Sequence, residues 1–167
     1  MFSVELVPDA STERAVRDDW GALQAAGLPS SGRNPSPSNR PHVTMAVREH
    51  LDTTALAGVE DLLPVPLELG GLLLFRHSRT VVVARQVVVT TKLLALHRAI
   101  ADRLGPPEPR YANTGPDRWT PHVTLVRSVT PELLPRVLDA IAAPHIVGHA
   151  TGLRVWDASA KAITTLR

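Results

Sequence analysis

Apolar residues along this chain recur in two rhythms, and each change of rhythm marks an element. Phe2-Ser3-Val4-Glu5-Leu6-Val7 alternates imperfectly, as a half-buried strand does, and stops at Pro8. Val16, Trp20, Leu23 and Gly27 then follow at helical intervals, one stripe of a helix that Asp9 or Ser11 can cap and Gly27 or Pro29 ends, with Glu13 favourable in its first turn. Residues 30–40 have no period; Gly32, Pro35, Pro37 and several serines and asparagines read as a loop. A strand over 41–48 follows it. Asp52 caps a predicted helix over 53–62, which Pro64 and Pro66 break. Strands over 66–75 and 79–88 come next, joined at Arg76-His77-Ser78, and Gly70-Gly71 predicts a bulge or bend in the first. The run Thr80 to Ala84 is β-branched enough for a central strand. Thr91 caps a helix over 92–104, with Leu93, His97, Ile100 and Leu104 on one face. A second loop, 105–118, carries four prolines and Tyr111 and leads into a strand over 120–127. Thr130 as cap and Pro131 at the first helical position start a helix to about 142, and strands over 145–156 and 160–166 close the chain.

Helices interspersed with hairpin-like strand pairs predict an α+β fold with antiparallel sheets. A repeat refines this. Pro41-His42-Val43-Thr44-Met45 returns 80 residues later as Pro121-His122-Val123-Thr124-Leu125, identical at four of five positions. Each copy has the same setting: a long loop, a strand, a cap, then a helix. Loops of that length in a small domain are commonly functional. The duplication predicts two similar lobes. Alternation along a strand puts His42 and Thr44 on one face, and likewise His122 and Thr124, with Val43, Met45, Val123 and Leu125 turned to apolar packing.

Composition bounds the rest. A chain of 167 residues, 44% apolar and 20% charged, is an ordinary globule and most simply one domain over residues 1–167. No apolar run approaches the roughly 20 residues that cross a bilayer, and Met1 to Asp9 has neither the basic start nor the apolar core of a signal peptide. A cytoplasmic protein, without membrane association, is the expectation. The absence of cysteine excludes disulfides, thiolate metal sites and a cysteine nucleophile. The net charge of +2 does not argue for nucleic acid, but residues 76–130 carry nine bases against three acids, a local +6 around the second histidine motif. An anionic ligand there and a solvated basic surface both account for it.

Two histidines suit a reaction that needs an acid and a base together, because imidazole and imidazolium are both accessible near neutral pH. Phosphodiester cleavage fits: one histidine deprotonates the attacking oxygen, the other protonates the departing one, and threonine hydroxyls donate to the phosphate oxygens. The scheme requires neither metal nor cofactor. A single histidine–threonine pair on a strand signifies only a polar face; the repeat favours catalytic pairing. The remaining histidines carry less. His145 and His149 lie four apart in a strand-like context with Gly148 and no suitable carboxylate in the adjacent sequence; His97 reads as a hydrogen-bonded core histidine; His50 and His77 sit solvated at element ends. No glycine-rich nucleotide loop or nucleophile elbow is present, so ATP-driven ligation has no support.

With both tetrads, the helix carrying Trp20 and ending in Ala26-Gly27-Leu28-Pro29-Ser30, Phe75 before a β-rich strand, and Trp119-Thr120-Pro121-His122, the chain resembles the two-histidine phosphoesterases nearly end to end. Within them it is most similar to the bacterial 2′-5′ RNA ligase-like proteins, also described as RNA 2′,3′-cyclic phosphodiesterases. The resemblance implies a bilobal, pseudo-two-fold pair of antiparallel sheets with flanking helices around a central cleft. It implies hydrolysis of a 2′,3′-cyclic phosphate on RNA ends or small nucleotides to a 2′-phosphate, with reversible 2′-5′ ligation in some members, and a monomer with no obligate protein partner. His42 and His122 then correspond to the acid–base pair and Thr44 and Thr124 to the phosphate donors. Arg127 corresponds to an arginine near the phosphate, although strict alternation would put it on the face of Val123 and Leu125, so a twist, bulge or strand end near Val126 is required. Phe75 corresponds to an aromatic that stacks on a nucleobase; a core phenylalanine is the other reading. A binding module that grips a phosphorylated ligand without turnover, and a phosphodiesterase for a 2′-5′ oligoadenylate or a cyclic ADP-ribose phosphate, are the competing functions.

Overall fold

Seven strands, all paired antiparallel, form one sheet in a computed structural model that describes residues 1–142 and 144–166. In chain order they are β1 (Phe2–Pro8), β2 (Val43–Arg48), β3 (Val65–Arg76), β4 (Val81–Val87), β5 (His122–Val129), β6 (Ile146–Asp157) and β7 (Ala162–Leu166). The path runs β2-β1-β6-β3-β4-β5, with β7 also on β6. The helices are α1 (Ala10–Ala25), α2 (Thr91–Leu104) and the short α3 (Leu134–Ala140). The expected α+β class and antiparallel strands are found. The two halves are continuous through β6: its start pairs with β3, its remainder with β1 and β7.

The repeat organises the molecule. The first half runs β1–α1–loop–β2 and the second β4–α2–loop–β5, each ending on a histidine motif paired back to the strand that began it. Although β2 and β5 end the path at opposite sides, they touch, so the sheet curves until its ends face. Two indoles tie that closure. Trp20 of α1 donates from Nε1 to the carbonyl of Thr124 at 3.1 Å, and Trp119 donates from Nε1 to the carbonyl of Thr44 at 2.9 Å. Each motif threonine is thus held through its backbone by a tryptophan from outside its own strand.

Local chemistry explains most boundaries. Asp9 caps α1 by accepting from the Thr12 amide at 2.8 Å, and Val16, Trp20 and Leu23 form the buried stripe. Gly27 takes φ +70°, the left-handed conformation that ends helices. The cap of α2 is Thr90, one residue before the expected Thr91. The helix expected over 53–62 is two 3₁₀ turns, Thr53–Leu56 and Glu60–Leu62: Gly58, at φ +82°, separates them. The helix expected from Pro131 begins as a 3₁₀ turn and becomes α-helical only at Leu134, with no capping bond from the Thr130 side chain to the backbone. The Gly70-Gly71 bulge is present as a register shift between Leu69 and Leu72. Among the described residues no helix is long and apolar enough to cross a membrane.

Candidate active site

Both histidines stand at the mouth of their strands, His42 one residue before β2 and His122 the first of β5. The proline before each motif histidine is buried and has a fixed φ. It turns the chain so that the imidazole Nδ1 meets the carbonyl two residues back: His42 Nδ1 to Arg40 at 2.7 Å, His122 Nδ1 to Thr120 at 2.8 Å. A carbonyl only accepts, so each Nδ1 carries the hydrogen and donates it. Nε2 is left to exchange protons. The two halves repeat this arrangement to within a tenth of an ångström.

A bulge follows each threonine. On β2 the register passes from Thr44 opposite Glu5 to Ala46 opposite Val4, leaving Met45 as the extra residue. On β5 it passes from Thr124 opposite Ala84 to Val126 opposite Val83, leaving Leu125. Both residues after each threonine are buried, and the alternation resets. Val47 and Arg127, five residues after their histidines, therefore return to the threonine face. This is the irregularity that Arg127 required.

A cleft of about 760 Å³ opens on that face, bordered by His42, Thr44, Arg127, Glu5, Arg154 and Trp156 among others. A smaller pocket beside it joins the halves, with His42 and Arg127 on its wall together with Thr124. His122 and Phe75 border neither; they stand together, ring centroids 4.7 Å apart and tilted by 48°. Phe75 thus packs on the second histidine from β3, through strand β4. Of the two polar pairs expected to face each other, the small pocket brings together His42 and Thr124, while Thr44 borders the larger cleft and His122 borders neither.

The surroundings are unequal. The cleft face of the first half is polar: Glu5 pairs across strands with Arg154, and Ser3 with Trp156. The corresponding face of the second half is apolar, with Ala84 paired to Leu73 and Val82 to Phe75. Burial pushes the pKa of His42 below its ordinary value; Glu5 and the Arg40 carbonyl oppose this, while Arg154 and Arg127 add to it. Glu5 and Arg154 were not singled out by sequence reasoning. The only signal was polar Ser3 and Glu5 alternating with Val4 and Leu6, which reads as an exposed face and is instead the cleft wall.

The basic excess of residues 76–130 is partly internal. Arg85 is 2% exposed and bonds Asp19 through Nε at 2.6 Å and Nη2 at 3.0 Å, so it tethers β4 to α1 and is not a ligand site. Arg127 is the member that reaches the cleft. His97 is buried, bonded to the Thr114 carbonyl at 3.0 Å and stacked on Trp119 at 4.0 Å, as a core histidine. His145 does have a carboxylate beside it: Glu68, brought by the β3–β6 pairing, lies 2.8 Å away on the surface. No cluster of three or more metal-ligating side chains occurs among the described residues.

Comparison with known proteins bears on the family and the fold. The family model of the 2′-5′ RNA ligase superfamily matches residues 10–162. TT0787 of Thermus thermophilus superposes with a TM-score of 0.57 at 16% identity, covering 99% of this chain and 94% of its own. Usb1 of Kluyveromyces marxianus superposes with a TM-score of 0.53 at 13% identity, covering 99% and 96%. At such identities these likenesses speak for the fold. No curated protein sequence matches significantly. With the family match spanning both histidine motifs and nearly the whole chain, this protein belongs to the 2′-5′ RNA ligase superfamily of two-histidine phosphoesterases.

Proposed function

We propose that this protein hydrolyses 2′,3′-cyclic phosphates, on RNA ends or small nucleotides, to 2′-phosphates, with His42 and His122 as the acid–base pair. The observation that carries the reading is the duplicated setting of the imidazoles: each Nδ1 donates to the carbonyl two residues back, which leaves each Nε2 for proton transfer. One Nε2 takes a proton from water as its oxygen attacks phosphorus. The other gives a proton to O3′ as the P–O3′ bond breaks, so the ester to O2′ remains. Thr44 and Thr124 donate to the non-bridging oxygens, and Arg127 offsets their charge. When the hydroxyl of another chain end attacks the cyclic phosphate in place of water, the same displacement of O3′ leaves a 2′-5′ phosphodiester. Return of O3′ to phosphorus with loss of that hydroxyl reverses it, which accounts for reversible 2′-5′ ligation. Two histidines supply both proton transfers, so the proposal includes no metal.

The test is turnover of 2′,3′-cyclic nucleotides and of cyclic-phosphate-ended RNA in EDTA. His42→Ala and His122→Ala are each expected to lose about 10²- to 10⁴-fold in rate. Full turnover by either variant would sink the mechanism. Tight nucleotide-phosphate binding without turnover by the unaltered protein would mean a binding module. A 3′-phosphate product would reverse the leaving oxygen.

A further inference from the structure

The halves repeat the histidine setting but not the strand beside it. In register with Thr44 stands Glu5, whereas in register with Thr124 stands Ala84. Glu5 is buried. Its Oε2 accepts from Arg154 Nε at 2.8 Å and lies 2.8 Å from Nη2 of the same guanidinium, and its Oε1 accepts from Ser3 Oγ at 2.8 Å. The same Oε1 faces His42 Nε2 at 3.7 Å. Arg154 and Ser3 fix the carboxylate, so its place does not depend on the histidine. Buried ion pairs are poor sources of net stability, which directs attention to the group this one faces.

We propose that Glu5, clamped by Arg154 and Ser3, is a positioning residue for His42: it holds the Nε2 edge toward the cleft and stabilises the imidazolium while His42 carries the proton, a support His122 lacks. The inference rests on the reading of His42 as a proton-transfer group. With Nδ1–H committed to the Arg40 carbonyl, the transferred proton resides on Nε2, the nitrogen nearest Glu5. When Nε2 is protonated, the 3.7 Å approach becomes an ion pair; when the proton leaves, Arg154 and Ser3 still satisfy the carboxylate. Glu5 therefore takes no proton itself. The charged groups that face His42 are Glu5 from β1, Arg154 from β6 and Arg127 from β5. The Arg40 guanidinium, just before β2, is turned away to Glu13 at 2.5 Å. Glu5 is the single carboxylate of this set, and it opposes the effects of burial and of two arginines.

The test is an NMR titration of both imidazoles, without substrate, in the unaltered protein and in Glu5→Gln. The His42 midpoint is expected to fall by about one pH unit or more, with that of His122 unmoved. In turnover of a 2′,3′-cyclic nucleotide, kcat is expected to fall about tenfold while KM changes little. An unmoved His42 midpoint in folded Glu5→Gln would overturn the proposal, and so would an equal shift at both histidines. Should Glu5→Gln fold poorly around the unpaired Arg154, Glu5→Gln with Arg154→Met keeps the question open to measurement. Its His42 midpoint is again expected to fall, because Glu5 faces that ring through Oε1 at 3.7 Å whereas Arg154 is bound at Oε2. The titration needs no substrate, so it decides the Glu5 coupling even if no cyclic phosphate is turned over, a result that would instead count against the proposed reaction.

Discussion

At the scale of single residues, the repeat Pro-His-x-Thr is a device for fixing a tautomer. Proline sets the turn, the carbonyl two residues back takes the Nδ1 hydrogen, and Nε2 is left free. The same device in two electrostatic settings gives two unlike histidines. His42 is three-quarters buried at its side chain, and that burial pushes its pKa below the ordinary histidine value. Its NMR midpoint in the free protein is therefore expected below about 6.5; a midpoint above that value would contradict the burial argument. Arg127 has no counterpart either, since Val47 occupies the equivalent place on β2. Arg127→Ala is expected to raise KM for a cyclic nucleotide about tenfold, one lost charge-assisted hydrogen bond, with less change in kcat. Equal loss in kcat and kcat/KM would place Arg127 in the transition state alone.

Elements decide where these residues point. A strict strand would have carried Arg127 away from the cleft; one extra residue in β5, matched by one in β2, brings it back. A close approach between elements is Gly148 of β6 beneath the start of α1. A Cβ there would lie 2.0 Å from Thr12 Oγ1 and 3.0 Å from the Asp9 carboxylate. That carboxylate also accepts from the His149 amide at 2.7 Å. Gly148→Ala must push α1 from the sheet, and a destabilisation of about 2–3 kcal/mol is expected in denaturant unfolding. A change under about 0.5 kcal/mol would show that the contact relaxes without cost. Trp20→Phe removes the indole donor to the Thr124 carbonyl and leaves a void where the larger buried ring lay. A loss of about 2–3 kcal/mol in stability is expected in denaturant unfolding, with a lower kcat as β5 loosens.

On the scale of the whole molecule, the two halves are held together by β6, by the crossed tryptophans and by the Arg85–Asp19 ion pair. Asp19→Asn leaves a guanidinium that is 2% exposed without its charge partner, which costs about 3–5 kcal/mol. Denaturant titration checks this, and Asp19→Asn as stable as the unaltered protein would refute it. His97, behind Trp119, sets a pH limit. Burial lowers its pKa, with the Thr114 and Met45 backbone opposing and Arg48 and Arg98 assisting. The unfolded chain then binds a proton that the folded one refuses, beginning near the unfolded value of about 6.5. Stability is complete above that pH and falls as pH drops through it toward the lower folded pKa. His97→Gln is expected to flatten this decline in melting temperature between about pH 6.5 and 5; an unchanged slope would assign it to other groups.

The chain by itself determined the paired histidine motifs, the family and most of the elements. Periodicity and turn residues are local, so α1, β3, β4 and α2 were legible to within a residue or two, and a histidine motif stated twice was legible as a pair. Short-range competition obscured the rest: the segment over 53–62 has helix-like composition, but Gly58 divides it into two 3₁₀ turns. Tertiary structure alone decided what surrounds the histidines. Glu5 meets Arg154 across 149 residues, Trp20 meets Thr124 across 104, and Trp119 meets Thr44 across 75. Glu68 reaches His145 only through the pairing of β3 with β6. The physical reason is that a hydrogen bond or ion pair depends on approach in space. A repeat of residue types can specify two equal motifs, but the strand each one pairs with makes them unequal, by setting a carboxylate beside one histidine and an alanine at the matching place beside the other.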